Sequence, residues 1–182
     1  QISELVETHG KSLKNDPNNS EWWTILGYCY LTLGDFPNAF AAYAHALRNY
    51  HNSRDPNFWY AMGIVYEHYK YNESAIDCFR KVFEYNINFP YANDIFFRLG
   101  IIHRLLEDYD NSIAYFNKVK NSPPNHLRYE DVRFQIAYTY QLQKQYDKAM
   151  EIYSDLHNHF PDSLKLTQQY CWFMYMQYKD SN

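Results

Sequence analysis

One spacing recurs four times along this chain and limits what the chain can fold into. A small residue precedes another small residue by twelve positions at Gly27 and Ala39, Gly63 and Ala75, Gly100 and Ser112, and Ala137 and Ala149. The same neighbours surround each pair. Trp23, Trp59 and Phe96 lie four residues before the glycine, Tyr30, Tyr66, His103 and Tyr140 three after the first small residue, and Tyr43, Phe79, Phe116 and Tyr153 four after the second. Glycine within a helix costs roughly 1 kcal/mol relative to alanine. That cost has a reason where a second helix crosses too closely for a side chain. A single Leu-Gly pair in a helix would carry no weight, but four copies in register define a repeated helix-turn-helix unit.

This is the tetratricopeptide pattern, whose repeat is about 34 residues long. The expected fold is all-α: an α-α superhelix, or solenoid, of antiparallel helix pairs. The chain reads as a single array over 1–182, with a partial repeat at 1–17 and repeats at about 20–52, 56–88, 93–124 and 130–161. A terminal helix follows at about 162–178, as a cap or as the start of a further repeat. Because the small-to-small distance never changes, the hairpin inside each repeat has constant length. The full period exceeds the usual one, so the extra residues fall after the second helix. Twenty Tyr, 12 Phe and 4 Trp recur at helical spacing, so rings must build much of the core.

Local signals agree with this reading. Ile2, Leu5, Val6, His9 and Leu13 mark one face of an opening helix that Pro17 ends. Ser20, Asp35, Asn72 and Asp55, the last followed by Pro56, are expected helix caps, and Gly34 is an expected helix stop. His51 to Arg54 and Ser122-Pro123-Pro124-Asn125 read as loops between repeats.

Composition narrows the chemistry. A net charge of −4 without a long run of one sign argues against a general nucleic-acid binder. Cys29, Cys78 and Cys171 have no paired spacing and are expected to be reduced and buried. His157 and His159 are two apart, which puts them on different helix faces, and His103 stands where other copies have Tyr, so packing is expected of it rather than metal ligation. Glu67-His68 and Glu107-Asp108 read as helix ends rather than acid-base pairs, and Arg98, Arg104, Arg128 and Arg133 as ordinary surface charge, with contact to an acidic peptide as the minor alternative. No phosphate loop, dinucleotide fingerprint or nucleophile elbow is present. Neither catalytic residues, a metal, a cofactor nor a small-molecule substrate is expected. No apolar run is long enough to span a membrane, and no signal peptide is visible. The chain begins at Gln1 already in helical phase, as a piece of a longer protein would.

The repeat grammar uses one side of the first helix of each pair. The positions one and five residues after the leading residue face the inner surface of such an array. They are Thr24 and Tyr28, Tyr60 and Ile64, Phe97 and Ile101, and Phe134 and Tyr138, with Leu31, Glu67, Arg104 and Gln141 one turn further on. An aromatic stripe of this kind suits an amphipathic helix laid along it. A protein partner is therefore expected there.

Three segments carry a narrower resemblance: Trp23-Thr24-Ile25-Leu26-Gly27-Tyr28-Cys29-Tyr30-Leu31, Phe58-Trp59-Tyr60-Ala61-Met62-Gly63-Ile64-Val65-Tyr66, and Ala92-Asn93-Asp94-Ile95-Phe96-Phe97-Arg98-Leu99-Gly100-Ile101-Ile102. They resemble the tetratricopeptide subunit of the general transcriptional corepressor, the glucose repression mediator family. The Ser122-Pro123-Pro124 break before Val132-Arg133-Phe134-Gln135 also falls where that family has a proline-rich loop. The resemblance implies a nuclear, non-catalytic adaptor whose repeats bind a helical segment of a Tup-type WD40 corepressor and DNA-bound repressors. Arg133 and Thr167 depart from the pattern, standing where aromatic residues are expected. The similar repeat domain of UTX-type histone demethylases, or a scaffold in another assembly such as a ubiquitin ligase, is the alternative. A chaperone adaptor gripping a C-terminal carboxylate fits poorly, because it needs Lys and Asn where this chain has Thr24 and Tyr28.

Overall fold

The structure, a computed structural model, describes residues 2–50 and 54–180. Of the loop expected at His51 to Arg54, the first three residues lie outside the described ones. The described residues form ten helices and no strand. They are α1 (Ile2–Asn15), α2 (Ser20–Thr32), α3 (Phe36–Tyr50), α4 (Pro56–His68), α5 (Asn72–Tyr85), α6 (Ala92–Leu105), α7 (Tyr109–Val119), α8 (Tyr129–Leu142), α9 (Tyr146–His159) and α10 (Leu164–Asp180). The helices divide between two compact units, Gln1–Phe89 with α1 to α5 and Pro90–Asn182 with α6 to α10.

Four hairpins, α2/α3, α4/α5, α6/α7 and α8/α9, are closed by the same short turn. The amides of Asp35, Tyr71, Asp108 and Gln145 donate to the carbonyls of Tyr30, Tyr66, His103 and Tyr140, each at 2.9 Å. The preceding residue is left-handed in every case: Gly34 at φ 73°, Lys70 at 64°, Glu107 at 61° and Lys144 at 64°. This is the Schellman closure, which satisfies carbonyls that a helix end leaves unbonded. Only Gly34 announces it in sequence. The other three copies place side chains where glycine is favoured.

Two caps differ from expectation. Ser20 is the first residue of α2, and Asn19 caps it instead, accepting from the Trp22 amide at 3.1 Å. Asn72 likewise lies inside α5, with Tyr71 in the cap position and no side-chain cap bond. Asp35 and Asp55 cap as expected, accepting from the amides of Asn38 and Asn57. Leu5 of α1 is 45% exposed, off the face that carries Val6 and Leu13, so the apolar face is narrower than expected.

In the first unit, α1 closes the end of the α2/α3 hairpin. Leu13, Leu26 and Ala42 are buried together with Val6, Trp22 and Trp23 against them, and the His9 and Trp22 rings lie 4.7 Å apart. A Cβ on Gly27 would come within 2.7 Å of the Tyr43 ring, and one on Gly63 would collide with Phe79. The glycines therefore make room for one buried ring from the partner helix.

The second unit repeats this arrangement. A Cβ on Gly100 would meet the Phe116 ring at 2.7 Å. The Ser112 hydroxyl donates to the Gly100 carbonyl at 2.7 Å, so the small residue of the second helix also bonds to the first. Ala137, Ala149, Tyr153 and Phe173 form one buried cluster, and the Tyr153 and Phe173 rings are 5.4 Å apart. Helix α10 thus covers α9 with Phe173 while Trp172 and Tyr175 stay exposed. Cys171 is exposed as well, contrary to expectation, whereas Cys29 and Cys78 are buried. Tyr43, Tyr153, Phe58, Phe79, Phe116 and Phe173 are among the largest fully buried side chains, so rings do fill the core.

Candidate functional site

The first helix of each hairpin presents two rows of side chains, and the structure assigns them different work. The leading row turns toward the second helix of its own repeat. Trp23 stacks on His45 at 4.4 Å, and Lys81 sits 3.7 Å over Trp59. Lys118 lies 4.8 Å over Phe96, and Arg133 pairs with Asp155 at 2.9 Å. Each partner is the residue 22 positions on. Arg133, the departure from the aromatic pattern, therefore keeps the contact and changes its chemistry from ring-cation to ion pair. Thr167, the other departure, bonds with His157 at 3.3 Å in the contact between α9 and α10.

The second row is the one expected to meet a partner. In the first unit Tyr28 meets the Tyr43 ring edge-on at 5.8 Å, and Tyr60 lies 5.3 Å from Phe89 and 6.5 Å from Phe79. Tyr28, Leu31, Tyr60, Ile64 and Glu67 are all half-buried. Thr24 is the exception. It is only 8% exposed and its hydroxyl donates to the Ser20 carbonyl, so it contributes to the helix rather than to a surface.

In the second unit Phe97 lies 5.5 Å from Phe116 and Phe134 5.8 Å from Tyr153. Phe97, Ile101, Arg104, Phe134 and Gln141 are half-buried and Tyr138 is 36% exposed. In both units, then, the row rests on the buried rings beside the small residues and keeps part of its surface open. Such a surface can bury apolar anchors of another chain with little loss of side-chain freedom, because its own rings are already held.

The polar residues at the border are more tightly engaged than their spacing implied. The Tyr153 hydroxyl donates to Gln141 at 3.1 Å. Arg104 donates from Nη1 to Gln135 Oε1 at 2.6 Å, with its guanidinium 5.0 Å from the Tyr138 ring and 5.8 Å from Phe116. Burial lowers its pKa, and Tyr138 and Tyr153 act the other way. Arg98 pairs with Asp94 at 2.6 Å, Arg128 with Glu130 at 2.9 Å, and Arg133 with Asp155. Arg128, 72% exposed, is the surface charge expected, whereas Arg98, Arg104 and Arg133 are half-buried and not simple surface charge. Each is committed to a partner from its own unit.

His103 stacks on Tyr115 at 5.2 Å and bonds through Nδ1 to Asp108 at 2.9 Å, which is the packing role expected of it. The Asn111 side chain, and after it His103, hold Asp108 below the usual carboxylate range. His157 stacks on Tyr170 while His159 bonds to Asp155, so the two histidines face different neighbours. Burial pushes the Tyr43 and Tyr153 hydroxyls up and the Cys78 thiol to about 12, away from the ionised forms that nucleophiles and bases use.

Comparison with known proteins places these features. Family models described as "Tetratricopeptide repeat" match residues 10–68 and 72–126, 56–86, and 131–163. The chain is similar to the general transcriptional corepressor ssn6 of Schizosaccharomyces pombe, with 34% identity over 96 residues, 53% of this chain and 9% of that protein. It is similar to the general transcriptional corepressor trfA of Dictyostelium discoideum, with 34% identity over 95 residues, 52% of this chain and 7% of that protein. The chain thus spans under a tenth of the length of these two relatives. Among solved structures, a tetratricopeptide repeat protein from Parabacteroides merdae superposes with a TM-score of 0.72 at 18% identity, covering 99% of this chain and 68% of that one. That likeness establishes the fold class, an α-α superhelical repeat, as the spacing implied. Among the described residues, no helix is long and apolar enough to cross a membrane.

Proposed function

We propose, since the chain belongs to the tetratricopeptide repeat family, that this protein-interaction module works as a non-catalytic adaptor within a transcriptional corepressor. Its occupant is an amphipathic helix of a Tup-type WD40 corepressor, with DNA-bound repressors as further partners and the nucleus as its place of action. The observation that carries the reading is made in each unit by itself, a half-open row resting on buried rings: Tyr28 and Tyr60 in one unit, Phe97 and Phe134 in the other. Tyrosine and phenylalanine held on a rigid base are well suited to take the apolar anchors of a helix. The similarity to two corepressors supports the choice of partner.

The test is fluorescence anisotropy with a labelled N-terminal helix of a Tup-type corepressor. Binding at micromolar concentration is expected for the unchanged chain. Tyr60→Glu and Phe97→Glu should each weaken it at least tenfold, with far-UV circular dichroism unchanged. No binding by the unchanged chain would remove the corepressor assignment. Equal binding by both variants would move the site elsewhere.

A further inference from the structure

Arg104 differs from the other arginines of its unit. Arg98, Arg128 and Arg133 each meet a carboxylate at 2.6 to 2.9 Å. Among the described residues, Arg104 has no carboxylate partner; it donates to the neutral amide of Gln135. Yet it is half-buried, with its guanidinium 5.0 Å from the Tyr138 ring and 5.8 Å from the Phe116 ring. A guanidinium has five N–H donors in a planar fork that matches a carboxylate. Burying it beside rings without an anion leaves its desolvation only partly offset. Gln135 and the rings fix its orientation, so a carboxylate arriving there meets a donor already in place.

We infer that Arg104 receives the side-chain carboxylate of an Asp or Glu on the docked helix. The inference rests on the reading of this face as a helix-docking surface. The neighbours define the chemistry of the occupant. Phe97 and Ile101 precede Arg104 on α6, and Phe134 and Tyr138 lie on α8, all apolar and half-open. The fitting segment is thus an amphipathic helix whose acidic residue stands one turn from its apolar anchors. A side-chain carboxylate fits better than a chain terminus, because Phe97, Ile101, Phe134 and Tyr138 around Arg104 offer ring and aliphatic surface to the flanking turns of a helix.

The experiment is a selection from displayed helical 16-residue peptides, fused at their C-termini so that none carries a free terminal carboxylate. Leu or Phe is allowed at the anchor positions and all residues elsewhere. Against the unchanged chain, Asp or Glu is expected to be enriched at one fixed spacing, one turn from an anchor. Against Arg104→Gln that enrichment should disappear while the anchors are still selected. In titrations with the unchanged chain, replacing the selected acid by its amide should weaken binding about tenfold or more, a comparison that does not depend on how well the variant folds. Apolar anchors without acidic preference, or an acidic preference that survives Arg104→Gln, would overturn the role of Arg104 and leave the docking surface standing. Failure to select any helix with periodic anchors would bring down both.

Discussion

The ring of Phe79 occupies the space into which a Cβ on Gly63 would project. Phe79 is fully buried and has nowhere to retreat. Gly63→Ala gains helix propensity of about 1 kcal/mol but overpacks the contact, a cost of about 1–3 kcal/mol. The net expectation is a loss of stability of about 0–2 kcal/mol in urea unfolding, in place of the gain an open site would show. The fourth copy supplies the control. Ala137 already coexists with Tyr153 in a buried cluster, so Ala137→Gly should lose about 1 kcal/mol through backbone entropy. A midpoint raised by the full propensity gain of about 1 kcal/mol for Gly63→Ala would remove the steric account of this glycine.

Two tyrosines at equivalent positions should respond with opposite signs to the same change. The Tyr43 hydroxyl is buried without a hydrogen-bond partner, whereas that of Tyr153 donates to Gln141. Removing an unsatisfied buried hydroxyl relieves a desolvation cost, so Tyr43→Phe should stabilise by about 1 kcal/mol. Removing a bonded one strands its acceptor, so Tyr153→Phe should destabilise by about 1 kcal/mol. Thermal melts of both variants check this directly. Shifts of equal sign would contradict it.

The left-handed turn residues offer a stabilising route. Lys70, Glu107 and Lys144 adopt the conformation that Gly34 adopts, and none has glycine's freedom there. Left-handed backbone costs an ordinary residue roughly 1–2 kcal/mol, partly offset by the entropy glycine loses on folding. Glu107→Gly should therefore raise stability by about 0.5–1 kcal/mol, and Gly34→Ala should lower it by a similar amount. Chemical denaturation with intact far-UV spectra measures both. A destabilised Glu107→Gly would mean that its side chain does more than tolerate the turn.

The thiols should separate by burial. Cys171 is exposed, while burial raises both Cys29 and Cys78, the latter to about 12. At mildly alkaline pH an aromatic disulfide reagent should titrate Cys171 quickly in the native protein. Cys29 and Cys78 should follow only at the rate of unfolding. Rapid reaction of all three thiols would indicate a core far looser than the one described.

Periodicity made the helix pairs legible, because a helix that must pass a ring at close range leaves a small residue at a fixed place on each partner. It also located the row Tyr28, Tyr60, Phe97 and Phe134, since the helical repeat alone decides which side chains share a face. Local caps were less legible. Asn19 and Ser20 are both good cap residues, and the choice depends on where the first turn of α2 begins.

What a pattern of spacings could establish about this chain ends at the level of faces. The repeat architecture, the aromatic core and the candidate row all follow from residue order, because they depend on distances along one helix. The chemistry of the contacts between helices does not. That Arg133 replaces an aromatic contact by pairing with Asp155, and that Arg104 is held by Gln135 and the Tyr138 ring, depends on side chains 22 and more positions away. The constant offset of 22 residues names which positions meet in each hairpin. Whether they meet as a stack, a ring-cation contact or an ion pair, and that Arg104 is held by Gln135, is decided only when folding brings the side chains within bonding distance.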